Sequence, residues 1–184
     1  MYSSMQKYAS IPVQSEVASG TTTVDETGNN ELQDGSATFT GGVVNAGDVV
    51  WDETDDRMYT VSSVVNANTL ALTPIGATLG TGVNTGKTYS VYSATVSANQ
   101  LVATDGVVIV ENASADAINS EVNIQYCGVS GISVKIRHAA VAAGNEEMRD
   151  GFEDVVENSL IQAWPEVEYK WDVPSSLVIG IAKV

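Results

Sequence analysis

Basic side chains are scarce in this sequence. Eight lysines and arginines stand against 23 aspartates and glutamates, for a net charge of −15. Phosphate backbones are held by clustered Lys and Arg. Both halves of the chain are acidic and neither carries a basic patch, so no direct nucleic-acid binding is expected. Cysteine is nearly absent as well. Cys127 stands alone, which rules out an intramolecular disulfide and any dependence of the fold on an oxidising compartment. The expectation for Cys127 is a small apolar residue of a strand core. His138 is the only histidine, and a lone imidazole with no companion His or Cys cannot build a standard zinc site; it reads as a strand-end residue. No run approaches the roughly 20 apolar residues that span a bilayer, and residues 1–20 lack the apolar centre of a secretory signal. A product made in a cytoplasm, with no membrane partner, is expected.

What the sequence does have is apolar content and turns. Hydrophobic residues make up 43% of the chain, enough for a real core. From Phe39 to Tyr92, short apolar runs (Val49-Val50-Trp51, Met58 to Val65, Thr69 to Leu72, Thr88 to Tyr92) alternate with Gly, Asn, Asp and Thr. That spacing predicts a small antiparallel barrel or sandwich over residues 21–96, with turns at Gly28-Asn29, Asn45 to Asp48 and Asn66 to Asn68.

Residues 97–184 read differently. Val107 to Val110, Val122 to Tyr126 and Ile132 to Ile136 look like strands, and Gly128 to Gly131 looks like a turn. One helix follows, expected over about residues 145–164. Asn145 suits its N-cap, and Glu146 and Glu147 suit the positive end of its dipole. Met148, Phe152, Val155, Val156, Ser159, Leu160 and Ala163 draw one apolar stripe, and Pro165 stops the helix after Trp164. Val167, Tyr169 and Trp171, then Leu177 to Ala182, supply two closing strands. The fold class is therefore mainly β with one long helix: a small β module followed by an α+β domain whose antiparallel sheet is covered by the helix. Residues 1–20, interrupted by Pro12, read as an extended N-terminal arm, with Tyr8, Ile11 and Val13 as its candidate interface contacts.

Motifs with chemistry are weak. Gly80 to Thr88 resembles a phosphate-binding loop, but Thr81 stands where the first glycine belongs, and Lys87-Thr88 opens a strand instead of a helix. Asp52, Glu53, Asp55 and Asp56 match no known calcium-loop spacing; they read as a solvated hairpin tip that blunts a sheet edge, with a weak cation site as the alternative. The sequon at Asn112-Ala113-Ser114 has no secretory context. The aromatic residues read as core or interface anchors, and no Gly-x-Ser-x-Gly elbow is present. No catalytic residue, metal ligand or cofactor is expected.

Two stretches carry a resemblance. Gly47-Asp48-Val49, Thr60 to Val64, Asn68 to Thr73 and Gly86 to Val91 resemble a β module of tailed-phage virion proteins. Ile132 to Trp164 with its closing strands is similar to C-terminal segments of virion structural proteins of marine and cyanobacterial phages. The resemblance implies a virion protein of the capsid decoration (cement) type. Its partners would be the major capsid protein and itself, as a homo-oligomer; a trimer would match a threefold position. The alternatives are a neck, tail-tube or fibre-base subunit, in which residues 97–136 would supply a lumen-lining hairpin, or, from another class, a carbohydrate- or ligand-binding β module.

Overall fold

The computed structural model describes residues 6–26, 30–75, 82–115, 118–142, 144–161, 168–174 and 177–184. The elements in chain order are β1 (Tyr8–Thr21), β2 (Glu31–Gln33), β3 (Val49–Asp52), β4 (Arg57–Asn66), β5 (Thr69–Pro74), β6 (Thr88–Ala103), β7 (Val107–Ala115), β8 (Ile118–Tyr126), β9 (Val134–Ala142), α1 (Glu147–Ile161), β10 (Glu168–Lys170) and β11 (Val178–Lys183). The fold is mainly β with one helix. A seven-stranded sheet has the order β10-β1-β6-β3-β4-β5-β2, and a four-stranded sheet has the order β11-β9-β8-β7. All pairings are antiparallel except β1 with β10. The β module is an open sheet, ending at β2 and β10, and not a closed barrel.

The expected arm is instead a 14-residue strand inside the larger sheet. β1 pairs with β6 along its length and with β10 at Tyr8–Ser10. Ala9, Ile11 and Val13 alternate along it and are buried. This period-two pattern was hidden because Pro12 looked like a breaker. Proline is tolerated where its missing N–H faces an unpaired side. Pro12 lies two residues past Ser10, beyond the end of the β10 pairing, in the phase that faces away from β6. Lys7 anchors the same end: its ammonium donates to the Ser159 carbonyl and sits 5.7 Å from the Tyr169 ring centre.

The expected boundary at 96/97 falls inside β6, which runs 16 residues without a break. β1 and β6 therefore belong to both halves. One core gathers Ile11, Val13, Val122, Ile124 and Ile136 with the helix residues Met148, Phe152 and Val156 and with Trp171. Phe152 and Trp171 meet edge to face at 5.4 Å between ring centres, a preferred aromatic geometry. A second core lies within residues 32–91 and includes Phe39, Tyr59, Leu70 and Tyr89. Between them, Val49 and Met58 pack on Ala139, Ala140 and Ile179, joining the two sheets.

Helix α1 begins as its sequence dictates. The Asn145 side-chain oxygen accepts from the Glu147 N–H at 3.0 Å, satisfying one of the free donors of the first turn. Met148, Phe152, Val155, Val156 and Ser159 form the buried face. Leu160, expected on that stripe, is 61% exposed; the apolar face drifts past the sheet by the last turn, and Ile161 is exposed too. The expected turn at Gly28-Asn29, the helix end at Trp164-Pro165, Ala163 and Val167 lie outside the described residues.

Candidate interaction surface

Most of the polar groups that attract attention in the sequence are engaged within the fold; Glu53 and Cys127 are exposed. Asp52 is 1% exposed, and its carboxylate accepts the N–H groups of Thr54 and Asp55 at 3.0 and 3.1 Å, closing the β3–β4 hairpin. Burial pushes its pKa up against those bonds. Asp55 pairs with Lys87 at 2.7 Å, Asp56 accepts from the Trp51 indole at 3.0 Å, and Glu53 accepts from the Ser90 hydroxyl. β3 and β4 are interior strands, so this tip does not blunt an edge, and three of its four carboxylates are not the solvated groups expected. Among the described residues no cluster of carboxylates, His and Cys could hold a metal ion.

His138 lies inside β9 and is fully buried, not at a strand end. Burial pulls its pKa below the ordinary value, opposed by the Ala139 carbonyl and by Glu121. Cys127 is exposed, in the turn after β8, not in a core. The phosphate-loop look-alike leads into β6, and the described part of it, Gly82 to Lys87, contains no helix. None of the described aromatic side chains is exposed. Trp51 is covered by the Arg137 guanidinium, 4.0 Å from its ring centre. Arg137 and Lys135 both bond Glu121. Burial raises the Glu121 pKa, and these two partners more than offset it, leaving it below the ordinary range. This group lines a cleft of about 220 Å³ between the sheets.

Of the candidate contacts Tyr8, Ile11 and Val13, the last two are 0% and 4% exposed and belong to the chain's own core. Tyr8 is half-buried, and its hydroxyl donates to Gln6 at 3.2 Å. None of the three presents a free apolar surface.

The uncommitted surface is instead on the neighbouring strand. β6 pairs with β3 only at Tyr89–Tyr92, and among the described residues no strand pairs with that side of it farther on. Every residue from Ala94 to Leu101 is exposed, so both faces of the strand lie open. Val96 and Leu101 are 48% and 55% exposed. The direction of the backbone groups follows from three facts. The Thr104 N–H donates to the Lys7 carbonyl at 3.0 Å, so Lys7 faces β6; the Trp171 N–H donates to the Ser10 carbonyl at 3.0 Å, so Ser10 faces β10. Pro12, without an N–H, falls in the same phase as Ser10. Leu101 and Asn99 lie opposite Ser10 and Pro12. Opposed residues in an antiparallel ladder either exchange both bonds or both turn away. Asn99 and Leu101 therefore direct their N–H and C=O groups outward.

Natural edges are guarded by charge, proline or bulges. Here the Asp48 carboxylate takes the Ala94 N–H at 2.8 Å, and irregular pairing with β1 spans Val13 to Ala18 and the facing part of β6. From Ala98 to Ala103 the pairing is regular, and β6 carries no charged residue or proline at all. Beside it lies a cleft of about 520 Å³, lined by Pro12 and Gln14 of β1, Val96 and Asn99 of β6, and by Lys170 to Val173, Leu177 and Val178. This surface escaped the reading of individual residues; its signal was the absence of charge from Thr88 to Thr104 in an otherwise acidic chain. The chain matches no protein-family model, and comparison with curated proteins and with solved structures likewise returned no match.

Proposed function

We propose that this chain is a structural subunit of a phage particle, acting as a capsid decoration protein that binds the outside of the shell and stabilises contacts between capsomers. The observation that carries the proposal is the pairing of engaged interior polar groups with an open, uncharged strand edge. Such an edge offers main-chain hydrogen bonds to another chain. The resemblance of Gly47 to Val91 and of Ile132 to Trp164 to virion proteins gives the setting. The proposed partners are the major capsid protein and further copies of this chain. No cofactor, nucleic acid or membrane enters the proposal. A specific interface buries on the order of 1,600 Å², and a symmetric lattice multiplies modest contacts into a large total.

A neck or tail-tube role would call for a projecting hairpin. β7 and β8 form a hairpin, but β8 pairs with β9 and Val107 and Val110 pack on the core that includes α1, which favours the decoration role. A carbohydrate platform finds no exposed aromatic side chain among the described residues. The test is the copy number of this chain in purified particles, by quantitative mass spectrometry. A decoration protein approaches stoichiometry with the major capsid protein or a fixed fraction set by its symmetry position. A count of a few copies per particle refutes the decoration role, and complete absence refutes the virion reading.

A further inference from the structure

We infer that the open edge of β6 is a self-pairing edge, and that two copies of this chain join by laying Ala98–Val102 antiparallel to the same segment of a second copy across a twofold axis at Gln100. Four observations lead there. The N–H and C=O groups of Asn99 and Leu101 point outward and have no strand partner among the described residues. Side chains from Ala94 to Leu101 are uncovered on both faces, which is unusual for a strand that continues a buried sheet. β6 carries no charged residue in a chain of net charge −15; two copies repel least where neither presents a charge, so the edge is best suited to a partner as acidic as itself. Finally, the regular part of the edge, Ala98–Ala103, is centred next to Gln100.

The register follows from the backbone phase. With Gln100 on the axis, Asn99 lies opposite Leu101 of the second copy and Leu101 opposite its Asn99, so the two open residues of one strand meet the two open residues of the other; the pairing ends there, because Ser97 lies at a register shift and the Ala103 carbonyl accepts from the Tyr126 hydroxyl at 2.7 Å. Opposed side chains share a face. Leu101 of the second copy then lies on the face of Asn99, at the rim of the 520 Å³ cleft, where Pro12, Val96 and Leu177 offer it apolar contact. The contact is isologous: each copy contributes the same surface. A shift by one residue would set the outward backbone groups of one strand against residues whose N–H and C=O turn toward β1, so the register is discrete.

The pairing concerns the surface used in the proposed function and names one of its partners. It rests on that reading only for its place in a particle, because it is measured on isolated protein; a dimer in solution with no copies in virions would sink the virion reading alone. Sedimentation equilibrium on the full chain is expected to give twice the 19.3 kDa chain mass at high protein concentration. Asn99→Pro removes an outward donor that β1 does not use, and Leu101→Lys places like charges across the contact; each is expected to weaken dimerisation at least tenfold while the circular dichroism spectrum is unchanged. Gln100→Cys in a Cys127→Ser background is expected to form a disulfide-linked dimer on mild oxidation. Residues facing each other in the non-bonded phase are about 4.5 Å apart at Cα, within disulfide reach. Asn99→Cys in the same background, two positions from its own copy, is expected not to cross-link. A chain that stays monomeric, a dimer indifferent to both Asn99→Pro and Leu101→Lys, or cross-linking at 99 in place of 100 would overturn the inference. So would Asn99 and Leu101 amides that become protected only when a different protein is added.

Discussion

A buried polar node ties the turn after β2 to β6, and its strength can be measured. Asp34, 1% exposed, accepts the Ser36 N–H at 2.9 Å and the Ser36 hydroxyl at 2.6 Å on one oxygen, and the Tyr89 hydroxyl at 2.8 Å on the other. Tyr89 is fully buried in β6. Burial raises the Asp34 pKa, but the Ser36 and Tyr89 bonds outweigh it and hold the carboxyl below its ordinary range. Burial and the neighbouring Asp34 push the Tyr89 pKa far above its usual value, so it remains a donor even in alkaline solution. Tyr89→Phe removes the donor on one carboxylate oxygen without opening a large cavity. A hydrogen bond to a charged group contributes about 1.5–3 kcal/mol, and a double-mutant cycle with Asp34→Asn should return a coupling energy in that range. Urea unfolding at neutral pH, followed by circular dichroism, measures all four corners. The sign with pH is fixed: Asp34 has a lowered folded pKa, so its stabilisation is present above its unfolded pKa of about 3.9 and is lost as pH falls through the folded value. The Tyr89→Phe deficit should therefore be full at neutral pH and shrink in acid. A coupling below about 0.5 kcal/mol, the level at which independent sites add, would refute the reasoning.

Other expectations follow from single contacts. Asn145→Ala removes the cap on the Glu147 N–H and should cost about 1 kcal/mol in chemical denaturation. A Cβ at Gly82 would lie 2.2 Å from the Glu31 carbonyl oxygen and 2.6 Å from that of Glu26; backbone cannot yield as a side chain does, so Gly82→Ala should lower stability by about 1–3 kcal/mol, seen in thermal unfolding. Buried His138 has a lowered folded pKa. Its unfolded form takes up a proton below about pH 6.5 while the folded form does not, so stability should fall with decreasing pH there, by at most about 1.4 kcal/mol per pH unit. His138→Gln should flatten that part of the stability–pH curve.

The elements with clean periodicity were legible in the sequence. The helix stripe from Met148 to Ser159 and its Asn145 cap, the β3–β4–β5 meander with its polar turns, and the turn at Gly128–Gly131 all stand where pattern placed them. What failed was long-range. Nothing local announces that Tyr8–Thr21 docks between β6 and β10, because its alternation is interrupted by Pro12 and its partners lie up to about 160 residues away in the chain. The same distance effect hid β6, whose two halves have different neighbours and so different burial patterns. Asp52 looked solvated because its N–H donors come from the backbone two and three residues on, which residue type does not reveal. Cys127 was placed by its usual preference for burial, and the turn around it decided otherwise. The open stretch of β6 was legible only as a gap in charge.

The most direct measurement is amide hydrogen exchange across Ala98–Val102, compared between dilute isolated chain and the same chain in purified particles. Open edges exchange quickly and paired ones slowly. An adhesive β6 predicts rapid exchange at Asn99 and Leu101 in the dilute protein and strong protection of both in the particle, with little change in the buried β3 and β4. Equal exchange at those two amides in both states would contradict it.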